Sequence, residues 1–166
     1  MKRVIALLMI SAPVAAFAAS DPDMSFYKDA AEGGMAEVQD ANLAQQKATN
    51  PEVKDFAARM IKDHTAADDK LMSLAASKNI TLPGSPGLMD KAGKAKLDME
   101  SGDTFDKGYI KSQLSAHRDA IKLFRKESQT GQDPEAKAFA QSTLPTLESH
   151  LHEAEKVARD LGVSTK

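Results

Sequence analysis

The sequence predicts an all-α protein: an antiparallel bundle of four helices with one long crossover connection. Three observations lead to this fold class. The chain beyond residue 18 is rich in Ala, Lys, Glu, Asp, Leu and Met, which are good helix formers or common helix residues. Four long segments repeat apolar residues at helical spacing, and no segment shows the pattern of a strand. Two short Pro-containing turns resemble each other in sequence.

The N-terminus predicts a cleavable secretion signal. Lys2 and Arg3 precede an apolar run over residues 4–19 that includes the small-x-small triplet Ala16-Phe17-Ala18, and we expect cleavage after Ala18. The run is shorter than the roughly 20 apolar residues of a membrane-spanning helix. We therefore expect a periplasmic or secreted protein with no transmembrane anchor after signal cleavage. A protein of the cell envelope could be its partner.

The mature chain, residues 19–166, has the size of one domain. Without Lys2 and Arg3 it carries 20 basic and 24 acidic side chains, for a net charge of −4. It has no basic stripe and few aromatic residues, so we expect no nucleic-acid partner. The chain has no cysteine, which excludes disulfides and thiolate sites.

The first predicted hairpin joins helices over about residues 24–48 and 51–78. Asp23 or Ser25 is the expected cap of the first helix. Asn50 should cap the second, because Pro51 behind it suits the first helical position.

The second predicted hairpin joins helices over about residues 104–130 and 134–161. Asp103 is the expected cap of its first helix, and Asp133 caps the other, followed by Pro134. The turn segments 50–57 and 133–140 match at an offset of 83 residues, which suggests duplicated hairpins. Residues 79–103 form the crossover and hold a short amphipathic segment; ferritin-like bundles use one such connection.

Each predicted helix sends one ionisable side chain inward near its centre: Glu37, His64, His117 and His150. The three histidines lie in or beside apolar seams that follow helical spacing. Within each hairpin, the two ionisable residues are at nearly equal distances from the turn, so their heights match. His152 falls on the opposite side of its helix and should face water.

This constellation predicts a metal site in the bundle core with Glu37, His64, His117 and His150 as ligands. Imidazole and carboxylate suit Zn, Fe, Mn, Ni or Cu without selecting among these divalent ions. Asp40 and Asp68, each one turn from a proposed ligand, could accept hydrogen bonds from imidazole N–H groups. The same residues are also compatible with a buried Glu–His network that only supports the fold.

A glycine pair and a proline lie inside predicted helices, where both residue types are unfavourable. Gly33 and Gly34 lie inside the first helix, where each glycine costs up to about 1 kcal/mol relative to alanine. They allow either close helix packing or the approach of a ligand. Pro145 lies inside the last helix, where it should introduce a kink just before His150.

Several segments resemble a known family of exported bacterial proteins. They are the runs at residues 26–37, 48–54, 60–65 and 149–152. With the leader peptide, they resemble the family named domain of unknown function 4142. The resemblance implies a ferritin-like four-helix bundle and implies no activity. The carboxylate set of di-iron bundles is absent, because Ile61, Leu114 and Leu147 stand three residues before the histidines, where that set has Glu.

Two functions fit these observations. The first is an exported protein that binds a divalent metal or small ligand in its core. The second is a non-catalytic envelope or stress-related protein that acts through its surface, with a purely structural polar core. A hydrolase or oxidoreductase using the same cluster for acid–base chemistry is less well supported, because no nucleophile stands at a defined spacing from it.

Overall fold

The computed structural model describes residues 21–165, and these residues form five α-helices without a strand among them. The helices are α1 (Asp21–Lys47), α2 (Pro51–Ser77), α3 (Leu88–Asp98), α4 (Gly102–Thr130) and α5 (Pro134–Asp160). The predicted all-α class is therefore confirmed. The predicted signal peptide, with its cut after Ala18, lies outside the described residues. Among the helices of residues 21–165, none combines the length and apolar character that crossing a membrane requires.

The four long helices pack as two hairpins laid side by side. α1 packs along α2, and α4 packs along α5, each pair being joined by a three-residue turn. α1 also contacts α4 and α2 contacts α5, so the order around the bundle is α1, α2, α5, α4. The crossover carries α3, which lies against α1 and α4.

The two predicted caps at the tight turns have the expected geometry. The Asn50 side-chain oxygen accepts hydrogen bonds from the backbone N–H of Glu52 at 2.8 Å and Val53 at 3.4 Å. The Asp133 carboxylate accepts from the backbone N–H of Glu135 at 3.0 Å. Proline follows each cap at the start of its helix. These contacts satisfy N–H groups that have no partner within the helix.

Two other expected caps lie inside their helices instead. α1 already includes Asp21, so Asp23 and Ser25 are not at its start. α4 begins at Gly102, which places Asp103 in the first turn, where its carboxylate pairs with Lys107 at 2.8 Å. An acidic side chain in the first turn is also favoured by the helix dipole, and this explains how the sequence suggests a cap two residues after the actual one, Ser101.

Each tight turn is held by a carboxylate from the other hairpin. Asp106 on α4 accepts from the backbone N–H groups of Thr49 at 3.1 Å and Asn50 at 2.9 Å. Asp23 on α1 accepts from the backbone N–H of Gln132 at 2.8 Å. Asp23 and Asp106 are 83 residues apart, the offset that relates the two turn sequences. The repeat in sequence therefore corresponds to a repeat in structure.

The apolar core is divided into two clusters along the bundle axis. The first core cluster lies near the α1–α2 turn and includes Val53, Phe56, Met60, Tyr109, Leu114 and Ala154. The second core cluster lies near the α4–α5 turn and includes Phe26, Leu71, Ile121, Phe124, Phe139 and Leu147. On every long helix, the polar residue predicted to point inward separates the contributions to these clusters. A polar layer thus crosses the middle of the bundle.

Candidate metal centre

The polar layer brings three histidines from three helices together. His64, His117 and His150 are each at most 8% exposed. One ring nitrogen from each lies within 4.8 Å of those of the other two, an arrangement that could hold a metal ion. Their ring centroids are 5.4–5.5 Å apart. His152 is exposed, as its helical phase predicts.

The orientation of His117 is fixed by its own helix. Its Nδ1 lies 3.0 Å from the backbone carbonyl of Gln113, one turn earlier on α4. A carbonyl oxygen only accepts, so Nδ1 carries the proton and donates. The lone pair of the neutral ring is therefore on Nε2, which points toward His150.

The orientation of His150 is fixed from across the bundle. Its Nε2 lies 2.9 Å from the Asp63 carboxylate on α2. Arg59, one turn earlier, contacts the same carboxylate at 3.4 Å and reaches Ser149 and Glu153 on α5. With Nε2–H donating to Asp63, the lone pair of neutral His150 is on Nδ1, which is 3.4 Å from His117 Nε2.

The third imidazole has a buried nitrogen free to bind. His64 Nε2 has no hydrogen-bond partner among the described residues. An unpaired polar atom in the interior costs about 1–3 kcal/mol, so a ligand bound to His64 Nε2 would be favoured.

The surroundings keep all three imidazoles neutral near pH 7. Burial lowers the pKa of His64 to about 3, and the neighbouring His117 and His150 contribute. Burial and His150 lower the pKa of His117 to about 4. Burial also lowers the pKa of His150, although the Asp63 carboxylate opposes this effect. Neutral imidazole is the form that ligates metals.

Glu37 is buried in the same layer but stands apart from the three ring nitrogens. Its Oε1 is 4.0 Å from His117 Nδ1, the nitrogen that donates to Gln113. Its Oε2 has no partner in the described part of the chain. Burial raises the pKa of Glu37 to about 8, against the opposing effect of a hydrogen bond from Gln113. Glu37 therefore lies on the side of His117 that faces away from the three-nitrogen group.

The acceptors that orient His117 and His150 are the Gln113 carbonyl and the Asp63 carboxylate. Asp40 and Asp68, the acceptors suggested by the sequence, lie elsewhere. Asp40 is toward α3, where burial raises its pKa to about 6 while Lys94 lowers it. Asp68 lies against Gly34 on α1. Sequence reasoning missed Asp63, although its i, i+4 spacing from Arg59 and its position beside His64 are visible in the sequence.

The model of the family described as Domain of unknown function (DUF4142) matches residues 9–157. The chain belongs to this family. The comparison with curated proteins finds no match.

Solved structures similar to this DUF4142 protein share its helical bundle. A DUF305 protein from Streptomyces coelicolor superposes with a TM-score of 0.75 at 13% identity, covering 87% of this chain and 95% of that one. A DUF305 fragment from Deinococcus radiodurans gives 0.75 at 14% identity, covering 87% and 97%. CopM in its Cu(I)-bound form gives 0.69 at 17% identity, covering 83% and 96%. At these identities, the likeness establishes a common fold.

Beside the imidazoles, the DUF4142 bundle has a cavity of about 680 Å³ that is partly open to the surface. His64, His150 and Glu37 line one part of it, and the second core cluster contributes Phe124, Phe139 and Leu147. The space stays unfilled because several lining positions carry small residues, including Gly33, Gly34, Ala67 and Ala120. The candidate centre is therefore next to open space inside the bundle.

Proposed function

We propose that this DUF4142 protein binds one transition-metal ion in its core, and that copper is the first ion to test. The ligands are His64 Nε2, His117 Nε2 and His150 Nδ1. With the predicted secretion signal, this function places a metal-handling protein in the bacterial envelope or in the medium outside the cell.

The observation that carries the proposal is the separation of 3.4 Å between His117 Nε2 and His150 Nδ1. The other nitrogen of each ring already donates a proton, so two lone pairs face each other across this gap. Two nitrogens bound tetrahedrally to one ion at about 2.0–2.1 Å would be about 3.3–3.4 Å apart. The spacing of the apo rings thus matches that of two ligands on one ion.

The donor set favours copper, zinc or nickel over manganese, and the general order of divalent affinities places iron below copper. Three neutral imidazoles supply nitrogen, whereas Mn and Mg sites are richer in carboxylate oxygen. Between copper and zinc, the general order of divalent affinities favours Cu²⁺. The bundle of CopM, which shares this fold, is described in Cu(I)-, Cu(II)- and Ag-bound forms. This likeness supports testing copper first.

The carboxylates have different roles in this proposal. Asp63 orients His150 and contributes negative charge through the ring, as carboxylates that contact metal-bound histidines commonly do. Glu37 is a buried acid that can balance the charge of the ion once it loses its proton, because burial raises its pKa to about 8. It would become the fourth ligand only by turning past the His117 ring, because its carboxylate now faces the Nδ1 side of that ring.

A purely structural network is the second candidate, and one observation favours it. A protonated His150 could donate from Nε2 to Asp63 and from Nδ1 to His117 Nε2, which would satisfy both contacts without a metal. Burial lowers the pKa of His150, and this disfavours the protonated form near pH 7. The network also leaves His64 Nε2 without a partner. Under this reading, the protein acts in the envelope through its surface.

The test is a calorimetric titration of tag-free mature protein with Cu²⁺ and, separately, Zn²⁺. We expect one ion per chain. His117→Ala should weaken binding at least about a hundredfold, since mutation of outer partners alone typically costs 10–100-fold. His152→Ala is the matched control, because His152 is exposed on the same helix as His150. Circular dichroism checks that each variant is folded.

Two results would reject the metal proposal. One is a folded wild-type protein that takes up neither ion at a stoichiometry of one. The other is equal weakening by His117→Ala and His152→Ala, which would place the ion on the surface.

A further inference from the structure

The wall of the cavity between α1 and α2 contains one unusually close contact. The Asp68 carboxylate lies so near to Gly34 that a Cβ built on Gly34 would be 2.0 Å from Asp68 Oδ1. A Cβ at the adjacent Gly33 would have no atom of the described residues within 4 Å. Glycine at position 34 is thus what allows Asp68 to lie against the α1 backbone.

On α2, Asp68 is one helical turn from His64. On α1, the residue that it contacts is one turn from Glu37. Asp68 is four residues after His64 on α2, which places the two on the same face. Its contact on α1, Gly34, is three residues before Glu37. His64, Glu37 and Asp68 all line the cavity. Asp68 therefore lies on the cavity wall, one helical turn from His64.

The chemistry of the cavity favours a cation. Acidic side chains outnumber basic ones along its wall, with Asp29, Glu32, Asp90 and Asp119 toward the outside and two basic residues, Arg59 and Lys70. Arg59 is already engaged by acidic partners. A cleft lined by one sign of charge raises the local concentration of ions of the opposite sign and speeds their association.

Two buried polar atoms on residues that line this cavity have no partner in the described structure. They are Glu37 Oε2 and His64 Nε2, on residues that are 7% and 8% exposed. The space itself follows from the internal repeat. At the offset of 83 residues, His117 and His150 correspond to Gly34 and Ala67. Where one half of the bundle has imidazoles, the other half has small residues, and these line the cavity.

We propose that the cavity is the path by which a metal cation reaches the three imidazoles, and that Asp68 captures the ion there and transfers it to His64. This inference rests on the proposed function, because it concerns access to the same centre. It predicts that Asp68 controls the rate of metal uptake and leaves the final affinity nearly unchanged.

The test is stopped-flow mixing of wild-type protein and variants with Cu²⁺ at low ionic strength, with affinity measured separately at equilibrium. Burial raises the pKa of Asp68 to about 7, so the measurement is made at pH 8, where most of the carboxylate is ionised. Asp68→Asn should slow uptake and release by about tenfold each, because a relay lowers the barrier in both directions, and should change the dissociation constant by less than about threefold. Asp69→Asn is the matched control, because Asp69 is the exposed neighbour on the same helix.

A second variant perturbs Asp68 without changing its charge. Gly34→Ala places a methyl group where the Asp68 carboxylate lies and should also slow uptake. Gly93→Ala is its control, because a Cβ at that helical position on α3 meets nothing within 4 Å.

The outcomes separate this inference from the proposed function. If wild-type protein binds no Cu²⁺, the proposed function fails first. If Asp68→Asn takes up Cu²⁺ at the wild-type rate, only the path through Asp68 is wrong. An unchanged uptake rate with faster release would make Asp68 a ligand of the bound ion, which also contradicts the proposal.

Discussion

Replacement of Asp63 by asparagine is the most informative change at the edge of the proposed metal centre. Asparagine keeps an oxygen that can accept from His150 Nε2, but it removes the negative charge that now lies 2.9 Å from that nitrogen. Although burial alone would raise the pKa of Asp63, the hydrogen bonds from His150 and Arg59 lower it, so the carboxylate is ionised at neutral pH. Asp63→Asn therefore isolates the effect of charge on metal binding.

The geometry sets a lower limit for this effect. An ion on His150 Nδ1 would be about 7 Å from the Asp63 carboxylate, and at the dielectric constant of water, the attraction to a divalent ion is about 1.2 kcal/mol. This corresponds to roughly sevenfold in affinity. The Asp63 side chain is 24% exposed, so the effective dielectric constant is below that of water and the loss should be larger. We expect a loss of about 10–100-fold, the range typical of such carboxylates.

The assay is competitive calorimetry with Cu²⁺ at pH 7.5 on wild-type, Asp63→Asn and Asp69→Asn proteins. Asp69 is exposed on the same helix, so its variant changes the net charge equally without contacting an imidazole. Asp63→Asn should weaken binding at least sevenfold more than the control. A difference below about twofold would refute the reasoning that Asp63 supports a metal-bound His150.

Three further predictions concern stability. Gly33→Ala should raise the free energy of unfolding in urea by about 0.5–1 kcal/mol, because α1 gains helix propensity and the added Cβ meets no other atom within contact distance. Gly34→Ala should gain less, because its Cβ collides with the Asp68 carboxylate. Equal gains in the two variants would contradict the contact between Asp68 and Gly34. Asn50→Ala should cost about 1 kcal/mol in the same measurement, since two backbone N–H groups lose their acceptor, and an unchanged stability would show that the cap is dispensable. Burial, with nearby carboxylates, raises the pKa of Glu127 from 4.5 to about 7, so this side chain favours folding at low pH and that contribution is lost as the pH rises from about 4.5 to 7. The free energy of unfolding of Glu127→Gln, measured relative to wild type, should therefore be about 1–3 kcal/mol higher at pH 8 than at pH 5. Parallel pH profiles of stability for the two proteins would be inconsistent with a buried acid at position 127.

Much of the fold follows from local rules that the sequence displays. The apolar seams define which face of each helix is buried, and the caps Asn50 and Asp133 define where α2 and α5 begin. The starts of α1 and α4 were less well predicted, because Asp23 and Asp103 are acidic residues that suit a first turn or a tertiary contact as well as a cap. Local chemistry does not distinguish these roles.

The candidate site divides in the same way. Helical phase correctly predicts that Glu37, His64, His117 and His150 are buried. Counting residues from the turns predicts equal heights within each hairpin, whereas the structure places all four residues between the two core clusters. Phase does not define how a side chain is rotated about its own bonds, and Glu37 therefore faces the far side of His117. Nor does it show that α2 packs on α5 so closely that Asp63, beside the seam, reaches His150.

The central claim is that three imidazoles bind one ion through His64 Nε2, His117 Nε2 and His150 Nδ1. A crystal structure of the copper-loaded protein, with anomalous scattering recorded at the copper absorption edge, tests it most directly. We expect one anomalous peak inside the bundle, at about 2.0 Å from each of these nitrogens. A peak at the surface, or three unliganded imidazoles with no peak between them in protein exposed to excess copper, would contradict the account.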